Sequence, residues 1–192
     1  MADAVKSKKS PLDNYYVRII GTLLVITAVV AVLLAFVNML TAPVIAQRAD
    51  GKKSEAMSQV MEGTDNFTAL DVPEGMKDVK EIVLAKKGDE VLGYCVQTGT
   101  MGNDGEILLM VGITPDGAVT SVSILDQSET MYTDKHGELI AQFPGKSDSV
   151  ALSQDGGDIS AISGATISSR AITKGVDSAL AAAKVYMEGG VQ

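Results

Sequence analysis

The sequence predicts an α+β protein, in which a single N-terminal transmembrane helix precedes a domain of antiparallel hairpins packed with helices. Three observations predict this class. Residues 19–40 form a run of 22 residues without a charged side chain. Two pairs of apolar segments lie between residues 81 and 125, and a short polar turn joins the members of each pair. Apolar residues between 167 and 183 recur at three- and four-residue steps, which is typical of an amphipathic helix.

The uncharged run is long enough to cross a bilayer, because 22 helical residues extend about 33 Å and the hydrocarbon core is about 30 Å thick. Tyr15 and Tyr16 precede it, where aromatic rings favour the membrane interface, and Pro43 is expected to close it. A cleaved signal peptide is the alternative, but its apolar core would span only about 7–15 residues. The start of the chain is therefore divided into a cytoplasmic tail (1–18), a transmembrane helix (19–40) and a linker with a helix (41–75).

The distribution of charge bears on orientation and on partners. Four basic residues precede the span and three follow it, so the positive-inside rule slightly favours a cytoplasmic N-terminus and an extracytoplasmic C-terminal domain. Residues 49–192 carry 11 basic and 22 acidic side chains. This excess of negative charge repels phosphate backbones, so we expect no nucleic-acid partner. We also expect no metal site, because one cysteine (Cys95) and one histidine (His136) offer too few convergent ligands.

The C-terminal domain is assigned to residues 76–192. An amphipathic helix or linker over 49–63 precedes it, and Pro73 and Gly75 favour a loop over 66–75. The first hairpin is expected to pair 81–85 with 91–97, and the second to pair 107–113 with 119–125. A glycine-rich connection over 99–105 joins the hairpins, and a short helix is expected over 138–143. Such a sheet should carry a helix on one face.

The segment from Asp158 to Ser169 predicts a strand, a tight turn of small residues and the start of the last helix. A junction of this kind directs backbone N–H groups and the positive end of a helix at one point, and that point suits a phosphate. Thr166 places a hydroxyl at the same point. The alternative is that Ser163 or Thr166 only caps the helix, which is a common role of such hydroxyls.

The block Ser163-Gly164-Ala165-Thr166, with Asp158 upstream, resembles the flavinylation motif of the FMN-binding domain family. This family includes the G subunit of the Rnf complex and the C subunit of the sodium-pumping NADH:quinone oxidoreductase. Residues 38–45 are similar to the end of the membrane anchor in those subunits. The resemblance implies that FMN is bound covalently to Thr166 through a phosphoester. It also implies that a separate flavin transferase, using FAD and a divalent cation, attaches it and recognises Asp158.

The resemblance further implies a set of cofactor-binding residues around this motif. Glu129-Thr130 matches the family after the fourth strand, but the family's glycine-rich continuation is replaced here by residues 131–135. Tyr132 in this replacement either stacks on the flavin or is an ordinary exposed loop residue. In the family, the loop equivalent to 99–105 lies beside the flavin ring. The implied set is Thr166, Ser163, Gly164, Ala165, Ser168, Glu129 and Thr130.

The resemblance implies a function as well. The chain would be a membrane-anchored electron-transfer subunit within an Rnf-type complex, which couples electron transfer between ferredoxin and NAD to ion translocation. Its partners would be the other membrane and peripheral subunits, the flavin transferase and the lipid bilayer, and it would have little activity alone. Two alternatives stay open: an FMN-binding protein of another complex, of the quinone-reductase C type, and a non-redox anchored binding module.

Overall fold

The computed structural model describes residues 15–127 and 135–189. The chain divides after Arg48 into two compact units, and helix α1, Tyr15–Val60, contains this boundary. Within the described residues, this one helix is long and apolar enough to cross a membrane.

Pro43 lies inside α1, so the expectation that it ends the helix is wrong. A proline removes one backbone donor from a helix, but it does not by itself stop helical residues on either side from continuing. The hydroxyl of Thr41 donates to the carbonyl of Val37 at 3.0 Å, which adds a hydrogen bond in the turn that precedes the proline. Membrane helices commonly tolerate proline with such support from threonine side chains.

Five strands form one antiparallel sheet in the order of the sequence. The two expected hairpins are confirmed. The strands are β1 (Asn66–Leu70), β2 (Val79–Lys87), β3 (Glu90–Met101), β4 (Glu106–Ile113) and β5 (Val119–Asp126).

Two connections differ from the expectation. Residues 66–70 were expected to be loop, but they form β1 and pair with β2, with Phe67 opposite Ala85. Burial of Phe67 and Leu70 against the two core clusters stabilises this pairing, and the breakers Pro73 and Gly75 come only after the strand. The glycine-rich connection is also shorter than expected, because β3 continues to Met101 and only 102–105 remain as a turn.

The sheet is covered on both faces, because alternate residues of each strand point to opposite sides. Helix α3, Thr166–Gly189, packs on one face, where it contacts β2, β3 and β4. The last turns of α1 bury Ala56 and Val60 on the other face. The first core includes Leu84, Val96, Leu109, Ile172 and Val176, and the second includes Val83, Ala85, Cys95 and Met110.

The segment between β5 and α3 contains a short helix, α2 (His136–Ile140), which overlaps the expected one. Leu139 of this helix and Phe143, three residues after its end, are fully buried. The strand expected over 158–162 is wrong, because only an isolated bridge between Leu152 and Ile159 forms there. A side chain takes the place of a neighbouring strand. The amide oxygen of Gln142 accepts from the N–H of Ser160 at 2.7 Å, and its nitrogen donates to the Ser160 carbonyl at 3.2 Å.

Candidate functional site

The turn before α3 is built from residues 162–165. The N–H of Ala165 donates to the carbonyl of Ile162 at 3.0 Å, which closes a four-residue turn. Gly164 occupies its third position with a φ of 83°, a backbone conformation that favours glycine. A Cβ at Gly164 would meet no heavy atom within 4 Å, so the turn faces open space. The small residues of the motif therefore give a sharp, accessible turn.

Helix α3 begins with backbone N–H groups that find no acceptor among the described residues. Its first hydrogen bond runs from the N–H of Ser169 to the carbonyl of Ala165 at 2.9 Å, so alanine occupies the N-cap position. Within residues 15–127 and 135–189, the N–H groups of Thr166 and Ile167 donate to no acceptor. In the same residues, neither Ser163 nor Thr166 accepts a capping hydrogen bond through its side chain. Free amides at the positive end of a helix form a site suited to a phosphate. The described residues therefore give no support to the alternative that Ser163 or Thr166 only caps the helix.

Three hydroxyl residues at the start of α3 differ sharply in accessibility. Thr166 is half-buried, whereas Ser168 is 3% exposed and Ser169 is 0% exposed. Ser169 also uses its hydroxyl fully, because it accepts from the N–H of Ile162 at 3.0 Å and donates to the carbonyl of Ala165 at 2.8 Å. Among these three residues, Thr166 is the one with substantial solvent-exposed surface.

The apolar stripe predicted for α3 is confirmed from Ala171 onward but not at its first member. Ile167 was counted in the stripe, yet it is 54% exposed. It lies two residues from the buried Ser169, which is about 200° around a helix of 3.6 residues per turn. An apolar side chain therefore stands exposed beside Thr166.

Two ion pairs hold the segment that leads into the turn. Lys146 pairs with Asp158, and this hydrogen bond lowers the pKa of the Asp158 carboxyl. Arg170 on α3 grips both oxygens of Asp155 at 2.8 and 3.0 Å, which lowers the pKa of Asp155. Asp158, predicted as the acid of the recognition motif, therefore stays charged and keeps 61% of its side chain exposed.

The end of β3 lies against the first turns of α3. The hydroxyl of Thr100 donates to the carbonyl of Ala171 at 2.8 Å, and a Cβ on Gly175 would lie 3.0 Å from the hydroxyl oxygen of Thr98. The strand thus runs towards the beginning of the helix. The turn at 102–105 continues in that direction, which brings the predicted glycine-bearing loop to the same end of the domain as Thr166.

The structure brings five predicted site residues together in one turn and helix start: Ser163, Gly164, Ala165, Thr166 and Ser168. Glu129, Thr130 and Tyr132 lie outside the described residues, and their roles stay predictions. Analysis of the sequence missed the part played by Ser169 and Gln142, since each acts on a backbone group that only the folded chain brings near. Among the described residues, no cluster of three or more metal-ligating side chains occurs.

Comparison with known proteins gives concordant matches. Residues 102–181 match the FMN-binding domain family. The chain is 32% identical over 192 residues to the G subunit of the Na(+)-translocating ferredoxin:NAD(+) oxidoreductase complex of Acetobacterium woodii, covering 88% of this chain and 93% of that protein. It is 30% identical over 172 residues to the G subunit of the proton-translocating ferredoxin:NAD(+) oxidoreductase complex of Clostridium ljungdahlii, covering 82% and 86%. It is 32% identical over 175 residues to the G subunit of the ion-translocating oxidoreductase complex of Methanosarcina acetivorans, covering 85% and 92%.

Proposed function

The chain belongs to the family of G subunits of ion-translocating oxidoreductase complexes and carries a match to the FMN-binding domain, and from this premise we propose that it transfers electrons through an FMN bound covalently to Thr166. The complex would be of the Rnf type, in which electron transfer between ferredoxin and NAD is coupled to ion translocation. On this proposal the chain is one electron-carrying subunit, and it has little activity when separated from its partners.

One observation carries the choice of Thr166. Thr166 is half-buried, whereas Ser168 and Ser169 are buried, and the described residues supply no acceptor for its N–H or for that of Ile167. A phosphate esterified to this hydroxyl would supply acceptors for those donors, and its negative charge would lie at the positive end of a helix of 24 residues. The residues present therefore fit a phosphoester at this position.

The attachment step balances as a transfer from FAD. The Thr166 oxygen forms a bond to the phosphorus of the FMN half, the pyrophosphate bond breaks, and AMP leaves. The hydroxyl proton must pass to a base, because a threonine hydroxyl is a weak nucleophile. The described residues that hydrogen-bond around the turn include no side-chain base at Thr166. We therefore assign proton removal to the flavin transferase, and we assign presentation of the hydroxyl to this chain.

When bound, the flavin supplies the electron chemistry, whereas the protein supplies attachment and orientation. The exposed turn at Gly164 leaves room for close approach, since a Cβ there would contact nothing within 4 Å. Ile167 offers exposed apolar surface beside the attachment point. We propose that the ring lies towards Ile167 and the 102–105 turn. Glu129 and Thr130 are proposed as additional contacts, on the resemblance alone.

We propose that α1 anchors the chain as a single-pass membrane protein, with a cytoplasmic N-terminus and an extracytoplasmic domain. The apolar length of α1 supports the anchor, and four basic residues before the span against three after it support the orientation. A covalent tether suits this location, because an FMN that dissociated outside the membrane would be lost. The proposed partners are the other subunits of the complex, the flavin transferase and the lipid bilayer.

The decisive experiment is intact mass and in-gel fluorescence of the denatured full chain after expression with a flavin transferase. The wild type should gain the mass of FMN less one water and remain fluorescent. Thr166→Ala should lose both signals, and Thr166→Ser should keep part of them, because it keeps a hydroxyl. Ser178→Ala, which removes a half-buried hydroxyl further along α3, is the matched control and should match the wild type. A wild type without flavin, or a labelled Thr166→Ala, would overturn the proposal.

A further inference from the structure

The hydroxyl of Ser169 joins both ends of the turn that carries the motif. It accepts a hydrogen bond from the N–H of Ile162 at 3.0 Å and donates one to the carbonyl of Ala165 at 2.8 Å. The turn's own hydrogen bond, from the N–H of Ala165 to the carbonyl of Ile162, is 3.0 Å long. The two ends of the turn are therefore linked twice, once directly and once through a side chain of the helix that follows.

Ser169 is itself held firmly. Its N–H donates to the carbonyl of Ala165 at 2.9 Å, which is the first hydrogen bond of the helix. The side chain is 0% exposed, so no solvent molecule competes for its hydrogen bonds. The N–H of the half-buried Ile162 would lose its acceptor if this hydroxyl were removed, and such a loss costs free energy. Serine thus fixes the start of the turn to the first turn of α3.

Thr166 directly follows Ala165, which is one of the two residues that the Ser169 hydroxyl bonds. The residue before it, Ala165, is gripped at its N–H and at its carbonyl. We call the two hydrogen bonds of the Ser169 hydroxyl, to Ile162 and to Ala165, the buried clamp. This clamp sets the position of the Thr166 hydroxyl relative to the N–H groups of Thr166 and Ile167. Transfer of a group to a hydroxyl is sensitive to such placement, and a misplacement of about 1 Å can slow a reaction by about a hundredfold.

We propose that Ser169 is a positioning residue for flavin attachment, holding the turn so that the Thr166 hydroxyl and the neighbouring amides face the incoming phosphate together. This inference rests on the proposed function of Thr166. Ser169 makes no contact with the reacting atoms itself, since its hydroxyl is buried and already bonded on both sides.

Ser169→Ala and Thr173→Ala form a matched pair that tests this role. Each removes a buried hydroxyl that donates to the carbonyl four residues earlier in α3, at 2.8 and 2.9 Å. Only Ser169 also reaches the turn. The initial rate of FMN incorporation is measured on the full chain in detergent, with purified flavin transferase, FAD and a divalent cation, over a range of chain concentrations. Amide hydrogen exchange at Ile162 and thermal unfolding are measured on the same samples before flavin is added.

Ser169→Ala should lower the saturating rate of incorporation by about tenfold to a hundredfold. The amide of Ile162 should exchange at least about tenfold faster, because it has lost its acceptor. Thr173→Ala should stay within about twofold of the wild type in both readouts, although its thermal stability also falls, because one buried hydrogen bond is lost. If Ser169→Ala incorporates FMN at the wild-type rate, or if Thr173→Ala slows it equally, the positioning role is refuted.

Two further comparisons keep the result unambiguous. If Ser169→Ala does not fold, Ser169→Cys replaces it, because a thiol keeps weak hydrogen-bonding capacity. A folded Ser169→Cys should give an intermediate rate, and a wild-type rate in a variant whose Ile162 amide exchanges at least about tenfold faster would refute the role. A wild type that takes up no flavin means that the proposed function of Thr166 has failed. A wild type labelled on Thr166 beside an equally fast Ser169→Ala means that only the positioning role has failed.

Discussion

Gly112 should not accept a side chain without a loss of stability, because the end of α1 approaches its backbone closely. A Cβ at this position would lie 2.4 Å from the carbonyl oxygen of Val60 and 2.2 Å from the hydroxyl oxygen of Thr120. An ordinary C···O contact is about 3.3 Å, so Gly112→Ala requires the end of α1 to move by about 1 Å. It also strains the hydrogen bond of 2.6 Å that Thr120 donates to Val60.

The expected loss of stability follows from these contacts. Overpacking costs about 1–3 kcal/mol, and a strained or lost hydrogen bond adds about 1 kcal/mol. The sum, about 2–4 kcal/mol, corresponds to a fall in Tm of about 5–15 °C for a domain of this size. Thermal unfolding of the full chain in detergent, followed by near-ultraviolet circular dichroism, measures it.

Gly51→Ala is the matched control for Gly112→Ala. Gly51 lies inside α1, where a Cβ meets no heavy atom within 4 Å, so alanine should leave Tm unchanged or raise it through its better helix propensity. A Tm for Gly112→Ala within about 2 °C of the wild type would mean that α1 does not dock on the sheet at this distance.

Three other predictions follow from burial and charge. Burial raises the pKa of the Cys95 thiol to about 12, so at pH 8 about one molecule in ten thousand carries a thiolate. A maleimide should therefore label Cys95 only after denaturation, and intact mass measures the labelling. Lys146 lowers the pKa of Asp158, so this pair supports folding above the ordinary carboxyl pKa and is lost as the pH falls through the lowered value. In a carbon-13 NMR titration, Lys146→Met should raise the pKa of Asp158 and leave that of Asp155 low, because Arg170 holds the latter. Phe143→Ala leaves a cavity at a fully buried position and should lower the free energy of unfolding, measured by chemical denaturation, by about 3–5 kcal/mol. A loss below about 1 kcal/mol would contradict the place of Phe143 in the core.

The hairpins could be predicted from the sequence because their signals are local. Alternation of side chains identifies each strand, and Pro115-Asp116-Gly117 identifies a turn without reference to the rest of the chain. In β1 the signal is short: Asn66 and Thr68 alternate with Phe67 and Ala69, but these few residues become a strand only by pairing with β2. The error at Pro43 has the same origin, because a local rule for ending helices does not weigh the helical residues on both sides.

The strand expected at 158–162 shows a different limit of sequence patterns. Burial alternates at its start, as it would in a strand, with Ile159 buried between the exposed Asp158 and Ser160. Among the described residues only Leu152 pairs with this segment, through the bridge to Ile159, and the side chain of Gln142 bonds both backbone groups of Ser160. A side-chain amide can replace a ladder partner over one residue. The pattern of side chains predicts the extended backbone but not what satisfies its hydrogen bonds.

The candidate site combines two requirements that one residue cannot meet. An acceptor for a transferred group must be reachable from outside, whereas a residue that fixes the acceptor must be shielded from water so that its hydrogen bonds persist. Thr166 and Ser169 lie three residues apart on α3, and the turn folds back over the second of them. The start of α3 therefore leaves Thr166 partly exposed and buries Ser169, although both are small hydroxyl residues in the sequence. The two residues differ in role because the hydroxyl of Ser169 accepts the N–H of Ile162, at the other end of the turn. A backbone N–H group cannot be recognised in a pattern of side chains.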